Sequence, residues 1–428
     1  MEELANNTTF KEYLFFWTGQ LFSLFGSMVV SFVIIWWIAD VYVNEILLAL
    51  ASFLVSLFMV ISMPIAGVVA DKFNRKVVIV IADSTQAGLT FLLIILFASG
   101  VANIATVLLF LSLRSVCQAF HAPTMNSIIP TMVPKDKLSR INGINFLFTG
   151  VVQIFAPLIG AMLIVFLSIG IILWVDIITF FIALVPLILI KVPNVNHLNK
   201  SEKGIQKFSF LKEFRLGFRT MIMIPGLLIM AILSMVLNFL VKPIDALMPL
   251  FIIINHGGGA EFLAFGEVIF TGGIIAGAIL TSIKKNWSNK IRVIFISIIG
   301  AMIGYMIFAL APRGSLLILG IGGAMLGFNL PIINSLYQTF LQLAVPANKL
   351  GRVSSIDGTL SSAISPIGSL VSGPIAVLIG IPALYFSCGL IGAIITIAFW
   401  SFTSIRTVDI DNLSNLEEVN GQLEKVAV

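Results

Sequence analysis

The stretch YLFFWTGQLFSLFGSMVVSFVIIWWI, residues 13–38, runs without one charged side chain. A helix needs ~20 apolar residues to cross ~30 Å of hydrocarbon, and this stretch is longer than that. Working outward, comparable stretches recur at 47–70, 77–98, 103–126, 144–167, 170–190, 224–253, 262–283, 291–311, 315–342, 354–379 and 382–403, with mostly short polar connections. Of the 428 residues, 59% are hydrophobic and 11% charged, and mean hydropathy is +1.08. No soluble core can hide that much apolar surface. Backbone polar groups in lipid must be satisfied within their own segment, so the spans should be helices. The expected class is an all-α membrane protein with twelve transmembrane helices.

Other classes fall away on composition. The net charge of +5 might point to nucleic acid, but its placement in loops argues for a membrane instead, and no nucleic-acid partner is expected. The opening MEELANNTTFKE carries three acids and one lysine, unlike the basic start of a cleaved signal peptide. Cys117 and Cys388 both lie in apolar stretches, so neither a disulfide framework nor a metal site is indicated. His121, His197 and His256 are too few for a histidine metal cluster. There is no G-x-x-x-x-G-K-[ST] phosphate loop and no nucleophile–base set, so an enzyme is not expected and no cofactor is implied. Energy must come from an ion gradient or from the substrate's own gradient.

Lysine and arginine fix the orientation. With both ends cytoplasmic, the inner loops hold nineteen of them and the tails add Lys11, Arg406 and Lys425, so that 22 of the 25 lie inside. The outer loops hold Arg313 alone, while Arg114 and Lys242 lie within spans. An odd number of spans would spoil this asymmetry. The expected location is the inner or plasma membrane, multi-pass, with the bilayer as one partner.

The chain divides into a cytoplasmic N-terminus (1–12), a six-helix bundle (13–190), a basic linker (191–223), a second bundle (224–403) and a tail (404–428) expected to be disordered. The segment FSFLKEFRLGFRTM in the linker mixes Phe and Leu with Lys and Arg at helical spacing, as an amphipathic helix on an anionic leaflet would. A solvated linker accounts equally well for 194–206. The halves also resemble each other. Residues 119–123 (AFHAP) align with 327–331 (GFNLP) at an offset of 208, and Asn126-Ser127 with Asn334-Ser335. Pro134-x-x-Lys137-Leu138-Ser139-Arg140 then aligns with Pro346-x-x-Lys349-Leu350-Gly351-Arg352 at an offset of 212. The difference is about one helical turn. Parallel six-span repeats are a transporter design with the substrate between the halves.

Between spans 2 and 3 stands Gly67-Val-Val-Ala-Asp71-Lys72-Phe-Asn-Arg75-Lys76. Glycine permits close approach of a helix end, the acid can meet a helix N-terminus, and the basic pair marks the inner surface. The stretch resembles the G-x-x-x-D-[RK]-x-x-[RK]-[RK] loop of the major facilitator superfamily. The resemblance implies two parallel six-helix pseudo-repeats and a gating role for Asp71, resting near the start of span 11. A degraded copy follows in the second half: Gly277 is kept, Thr281 replaces the acid and Lys285 matches Arg75. Arg114, then AFHAPTMNSIIPTMVPKDKLSRING (119–143), and Asp176-x-x-Thr179-Phe180 are similar to drug:proton antiporters of the macrolide-efflux-like branch. The antiporters' span 5 motif reads G-P-x-x-G-G, whereas here Ala156 and Ala161 replace two of the glycines.

Four spans carry polar stripes at steps of three or four residues, each on one helix face. They are Gln20, Ser23, Ser27 and Ser31 in span 1; Arg114, Gln118 and His121 in span 4; Ser234, Asn238, Lys242 and Asp245 in span 7; and Asn334, Gln338 and Gln342 in span 10. Such groups are costly toward lipid and tolerable toward water or another helix, and Ser and Asn also join helices. Gln20, Gln118, Asn238, Asn334 and Gln338 are expected to line a cavity. Asp83, Arg114 and His121 are expected to form one network, with Lys242, Asp245 and Glu267 a second at comparable depth and Asp176 in the outer half of span 6. One of these carboxylates is expected to carry a proton, though a structural ion pair accounts for each cluster equally well.

The resulting expectation is a secondary active transporter that exports a lipophilic or amphipathic small molecule, drug- or macrolide-like, in exchange for protons (or sodium), working as a monomer. A lysophospholipid or siderophore transporter of the same superfamily is the alternative. A non-transporting sensor or scaffold is the alternative of another class.

Overall fold

The computed structural model describes residues 7–134, 137–190, 218–284, 287, 289–345 and 347–407. Twelve helices are long and apolar enough to span a membrane. They are α1 (Asn7–Tyr42), α2 (Glu45–Lys72), α3 (Arg75–Ala98), α4 (Ile104–Met132), α5 (Leu138–Phe166) and α6 (Ile169–Ile172 and Trp174–Leu189). Then come α7 (Leu227–Leu250, continued by a π-turn at Phe251–His256), α8 (Ala260–Ile283), α9 (Lys290–Ala309), α10 (Leu316–Ala344), α11 (Ala347–Ala363 and Ser365–Ile379) and α12 (Ile381–Phe402). Most of the linker (191–217) and of the tail (408–428) lies outside the described residues. Residues 218–223 at the linker's end are helical.

Asparagine starts several of these helices. Asn44 Oδ1 accepts from Leu47 N, Asn74 Oδ1 from Lys76 N, and Asn289 Oδ1 from Arg292 N. Asn103 and Thr106 form a reciprocal capping box at α4. Each satisfies backbone donors that the first helical turn cannot pair internally. Several helices overrun the expected spans, α1 by six residues at its start and four at its end, while α9 stops two residues short; helix ends are the least certain part of such a reading.

The chain falls into two compact units, residues 1–206 with 258–267, and residues 207–257 with 268–428. In the first unit α1 packs on α5 and α6, α2 on α4, and α3 on α4 and α6. In the second, α7 packs on α11 and α12, and α9 on α10 and α12. The packing of α1 on α5 and α6 and of α3 on α4 and α6 recurs as that of α7 on α11 and α12 and of α9 on α10 and α12, as a repeat of whole bundles requires.

The register of the repeat differs from the first-half motif alignment. Helices α4 and α10 have the same 29-residue length. They begin at residues 104 and 316 and end at 132 and 344, so both ends share one offset of 212. No extra turn separates them. The likeness of 119–123 to 327–331 is therefore displaced by about a turn from the structural equivalence.

Glycine sets the closest crossings. A Cβ on Gly26 of α1 would collide with Thr179 Oγ1 of α6, and one on Gly304 of α9 would stand 2.8 Å from Leu326 N of α10. Small residues at such crossings let helix backbones meet in lipid. One end of the first unit closes over Tyr13, Phe16, Ile79, Ile128, Met132 and Leu187.

Candidate functional site: two polar layers in the first bundle

Three helices of the first unit repeat a polar residue at a spacing of seven. These are Gln20 and Ser27 on α1, Asp83 and Thr90 on α3, and His121 and Arg114 on α4. Seven residues are two turns, about 10 Å of rise. The result is two stacked layers inside one bundle.

The first layer is sealed. Arg114 Nη1 lies 2.6 Å from Asp176 Oδ2, and both side chains are only 4% exposed. Asp176 also accepts from Ser27 Oγ at 2.9 Å and from Thr90 Oγ1 at 2.6 Å, and Arg114 donates to Thr90 Oγ1 as well. Gln86 Nε2 donates to Ser27 Oγ at 2.6 Å, and Gln118 Nε2 to Gln86 Oε1 at 3.2 Å. Asp176 stands in the first turn of the long segment of α6, where the helix dipole favours an acid. A buried pair with its remaining lone pairs satisfied is the arrangement in which both charges persist.

The second layer is looser. His121 Nε2 lies 2.9 Å from Gln20 Oε1 and 3.6 Å from Asp83 Oδ1, while Gln20 Nε2 reaches Asp83 Oδ2 at 3.4 Å. Here the side chains of His121 and Asp83 are 24% and 10% exposed. Histidine is the side chain whose ordinary titration falls near neutral pH. This layer is the more open of the two to solvent.

The expected trio of Asp83, Arg114 and His121 is thus divided. Arg114 takes Asp176 as its counter-ion, because both stand two turns from the level of Asp83 and His121. The buried Gln86 and Thr90 escaped the sequence reading, although Asp83, Gln86 and Thr90 step by three and four residues on α3, the same signal used for the other stripes.

At the start of α3 the basic pair of the Gly67–Lys76 loop binds backbone carbonyls of two other helices, Arg75 within α4 and Lys76 at the end of α6. Arg75 Nη1 donates to Ser127 O of α4 at 2.8 Å. Lys76 Nζ donates to Ile188 O and Ile190 O at the end of α6, at 2.8 and 2.7 Å. The last carbonyls of a helix lack internal partners and carry its negative dipole end, so a lysine ammonium fits there. The side chains of Asp71 and Lys72 lie outside the described set. Among the described residues nothing stands within 4 Å of a Cβ built on Gly67, whereas one on Gly277 would meet Phe328 O. Close helix approach belongs to the second copy of the motif.

In the second unit Lys242 Nζ pairs with Asp245 Oδ2 at 2.8 Å, one turn apart on α7, and Asp245 is exposed. Asn238, Asn334, Gln338 and Gln342 are exposed as well. Asn238 Nδ2 turns back to Ser234 O, four residues earlier. Glu267 is half-buried on α8. The stripes of α1 and α4 are thus spent mostly inside their bundle, while those of α7 and α10 are left open. Tyr337 of α10 donates to Asp357 of α11, a bond between two residues outside the polar stripes.

A sequence model of the Major Facilitator Superfamily matches residues 16–369. The chain belongs to the major facilitator superfamily. This facilitator is 26% identical over 408 residues to macrolide efflux protein A of Streptococcus pyogenes, covering 95% of this chain and 100% of that protein. It is 25% identical over 305 residues to macrolide efflux protein A of Enterococcus faecalis, covering 71% and 93%. Its fold is similar to the crystal structure of the nucleoside transporter NupG, with a TM-score of 0.65, 15% identity and coverage of 93% and 100%. The facilitator is therefore a multi-pass membrane transporter and not an enzyme.

Proposed function

We propose that this facilitator exports a lipophilic, macrolide-like small molecule in exchange for protons. Whole-length similarity to a macrolide efflux protein supports the substrate class. The observation that carries the coupling is the Asp83–His121–Gln20 layer. It is the loosely held, partly exposed polar layer of the first bundle, and it contains both a carboxylate and an imidazole. The Arg114–Asp176 layer then serves as its fixed electrostatic floor. Export proceeds by alternating access, the mechanism of parallel six-span repeats, with Asp71 acting in the gate. Asn238, Asn334 and Gln338 offer the substrate polar contacts. The lysine and arginine asymmetry of the loops supports placement in the cell membrane with both ends in the cytoplasm.

The test uses inverted membrane vesicles with an imposed acid interior and radiolabelled erythromycin as probe. Wild-type vesicles are expected to accumulate the drug, and collapsing the pH gradient to release it. Asp83→Asn is expected to bind the drug yet accumulate no more than vesicles lacking the protein. Gradient-driven accumulation by Asp83→Asn equal to wild type refutes the coupling assignment.

A further inference from the structure

We infer that Asp357, bonded to Tyr337, is a second proton-binding site, set in the second bundle and separate from the Asp83 layer. Asp357 lies in the first segment of α11 and is 6% exposed. Tyr337 Oη donates to its Oδ1 at 2.5 Å. Among the described residues this is its one recorded bond, and no described ion pair includes it. Asp176 is buried to the same degree but gathers an arginine and two hydroxyls. A carboxylate buried with a single neutral donor is costly to keep charged, and a proton on its free oxygen removes that cost.

Among the described residues, no ion pair joins Asp357 to the helices packed against this part of α11. On α7 the charged groups are Lys242 and Asp245, which pair with each other. Lys242 packs beside Gly368, about three turns farther along α11. Helix α10 holds no charged residue, and its titratable group is Tyr337 itself. On α12 the titratable groups are Tyr385 and Cys388, with Arg406 following the helix. Tyr385 Oη is directed at Ile244 O. Lys290 and Arg292 begin α9. On α11 itself, Lys349 and Arg352 have side chains outside the described set.

The internal repeat supplies an independent argument. At the offset of 212 that matches α4 to α10, Asp357 corresponds to Asn145. Asn145 Oδ1 accepts from Trp17 Nε1 of α1 at 2.9 Å, so this side-chain position is bonded to a neighbouring helix in the first bundle too, there α1 and here α10. A neutral amide therefore does the helix-joining work in the first bundle. The second bundle places an ionisable group where the architecture needs only an acceptor. When the site loads, one proton bonds the free carboxylate oxygen and Tyr337 keeps its bond to the other; unloading reverses this.

The role of the proton in coupling rests on the reading of the chain as a proton-driven exporter, but its binding can be read without any substrate. Infrared difference spectra of the purified full-length protein, taken across a pH titration, report the carbonyl stretch of protonated carboxyl groups. Asp357→Asn is expected to remove one titrating component, and Tyr337→Phe to shift that component's frequency and midpoint. An Asp357→Asn spectrum identical to wild type overturns the assignment. Should that variant not fold, an unchanged Tyr337→Phe spectrum overturns it instead. Erythromycin accumulation is measured in parallel. Its absence in wild type counts against the export reading alone and leaves the infrared result standing.

Discussion

Asp176→Asn strands the Arg114 guanidinium, 4% exposed, without a counter-charge. Two hydroxyl bonds to the carboxylate weaken with it. Breaking one side of a buried pair costs about 3–5 kcal/mol. For a unit of ~200 residues each kcal/mol lowers the melting temperature by about 2–4 °C, so the expected loss is about 6–20 °C. Asp83→Asn is the control. Its partners stand at 3.4 and 3.6 Å and His121 is partly solvated. Discounted for screening, that contact is worth about 1 kcal/mol or less, a shift of no more than about 4 °C. The assay is heating in detergent with a thiol-reactive fluorophore. Cys117 is buried in α4 of the first unit and Cys388 in α12 of the second, so a Cys388→Ala background reports the first bundle alone. Asp176→Leu combined with Arg114→Met is expected to regain most of the lost stability, since an apolar pair replaces the charges together. Equal melting of Asp176→Asn and Asp83→Asn would refute the division into a sealed and an open layer.

Lys76→Met removes both bonds to the end of α6 and is expected to cost about 1–3 kcal/mol in the same assay, with Lys76→Arg losing less. Gly26→Ala drives a methyl into Thr179 and is expected to cost about 1–3 kcal/mol by overpacking; pairing it with Thr179→Ala should recover part of the loss, and failure to do so would place the clash elsewhere. His121→Gln keeps a neutral hydrogen-bonding group beside Gln20 but removes the imidazole facing Asp83, so gradient-driven erythromycin accumulation is expected to fall while drug binding persists. A single cysteine at Arg313 should react with an impermeant maleimide in intact cells, and one at Ser404 only after lysis; the reverse pattern overturns the proposed orientation.

The fold was legible because lipid imposes a length and a composition on every span, and Tyr13–Ile38 satisfies both without ambiguity. Stripes were legible too, since a polar residue every third or fourth position is conspicuous in an apolar helix. Pairing was not. Arg114 and Asp176 lie 62 residues apart, and nothing in either span states that α6 begins level with the middle of α4. Depth from the loop ends matches Asp83 with His121, and those two do stand together; Arg114 lies two turns away from them. The two-turn stagger emerges only when α1, α3, α4 and α6 are packed together. The repeat register failed for a related reason. Short motif matches within one helix tolerate a shift of a turn, because the same face returns, whereas helix ends do not. Asp357 was passed over because it sits near a span boundary, where an acid attracts no notice until its burial is known.

Lys76 also has a practical bearing on dissecting this transporter. Its ammonium holds the final carbonyls of α6, and the second of these belongs to Ile190, the last described residue before the chain leaves the first bundle. A gene cut for co-expression of separate halves, or a reporter spliced between them, should therefore be placed downstream of that residue. A cut even a few codons earlier would deprive the lysine of its acceptors and loosen the α2–α3 turn from a distance of more than a hundred residues in sequence.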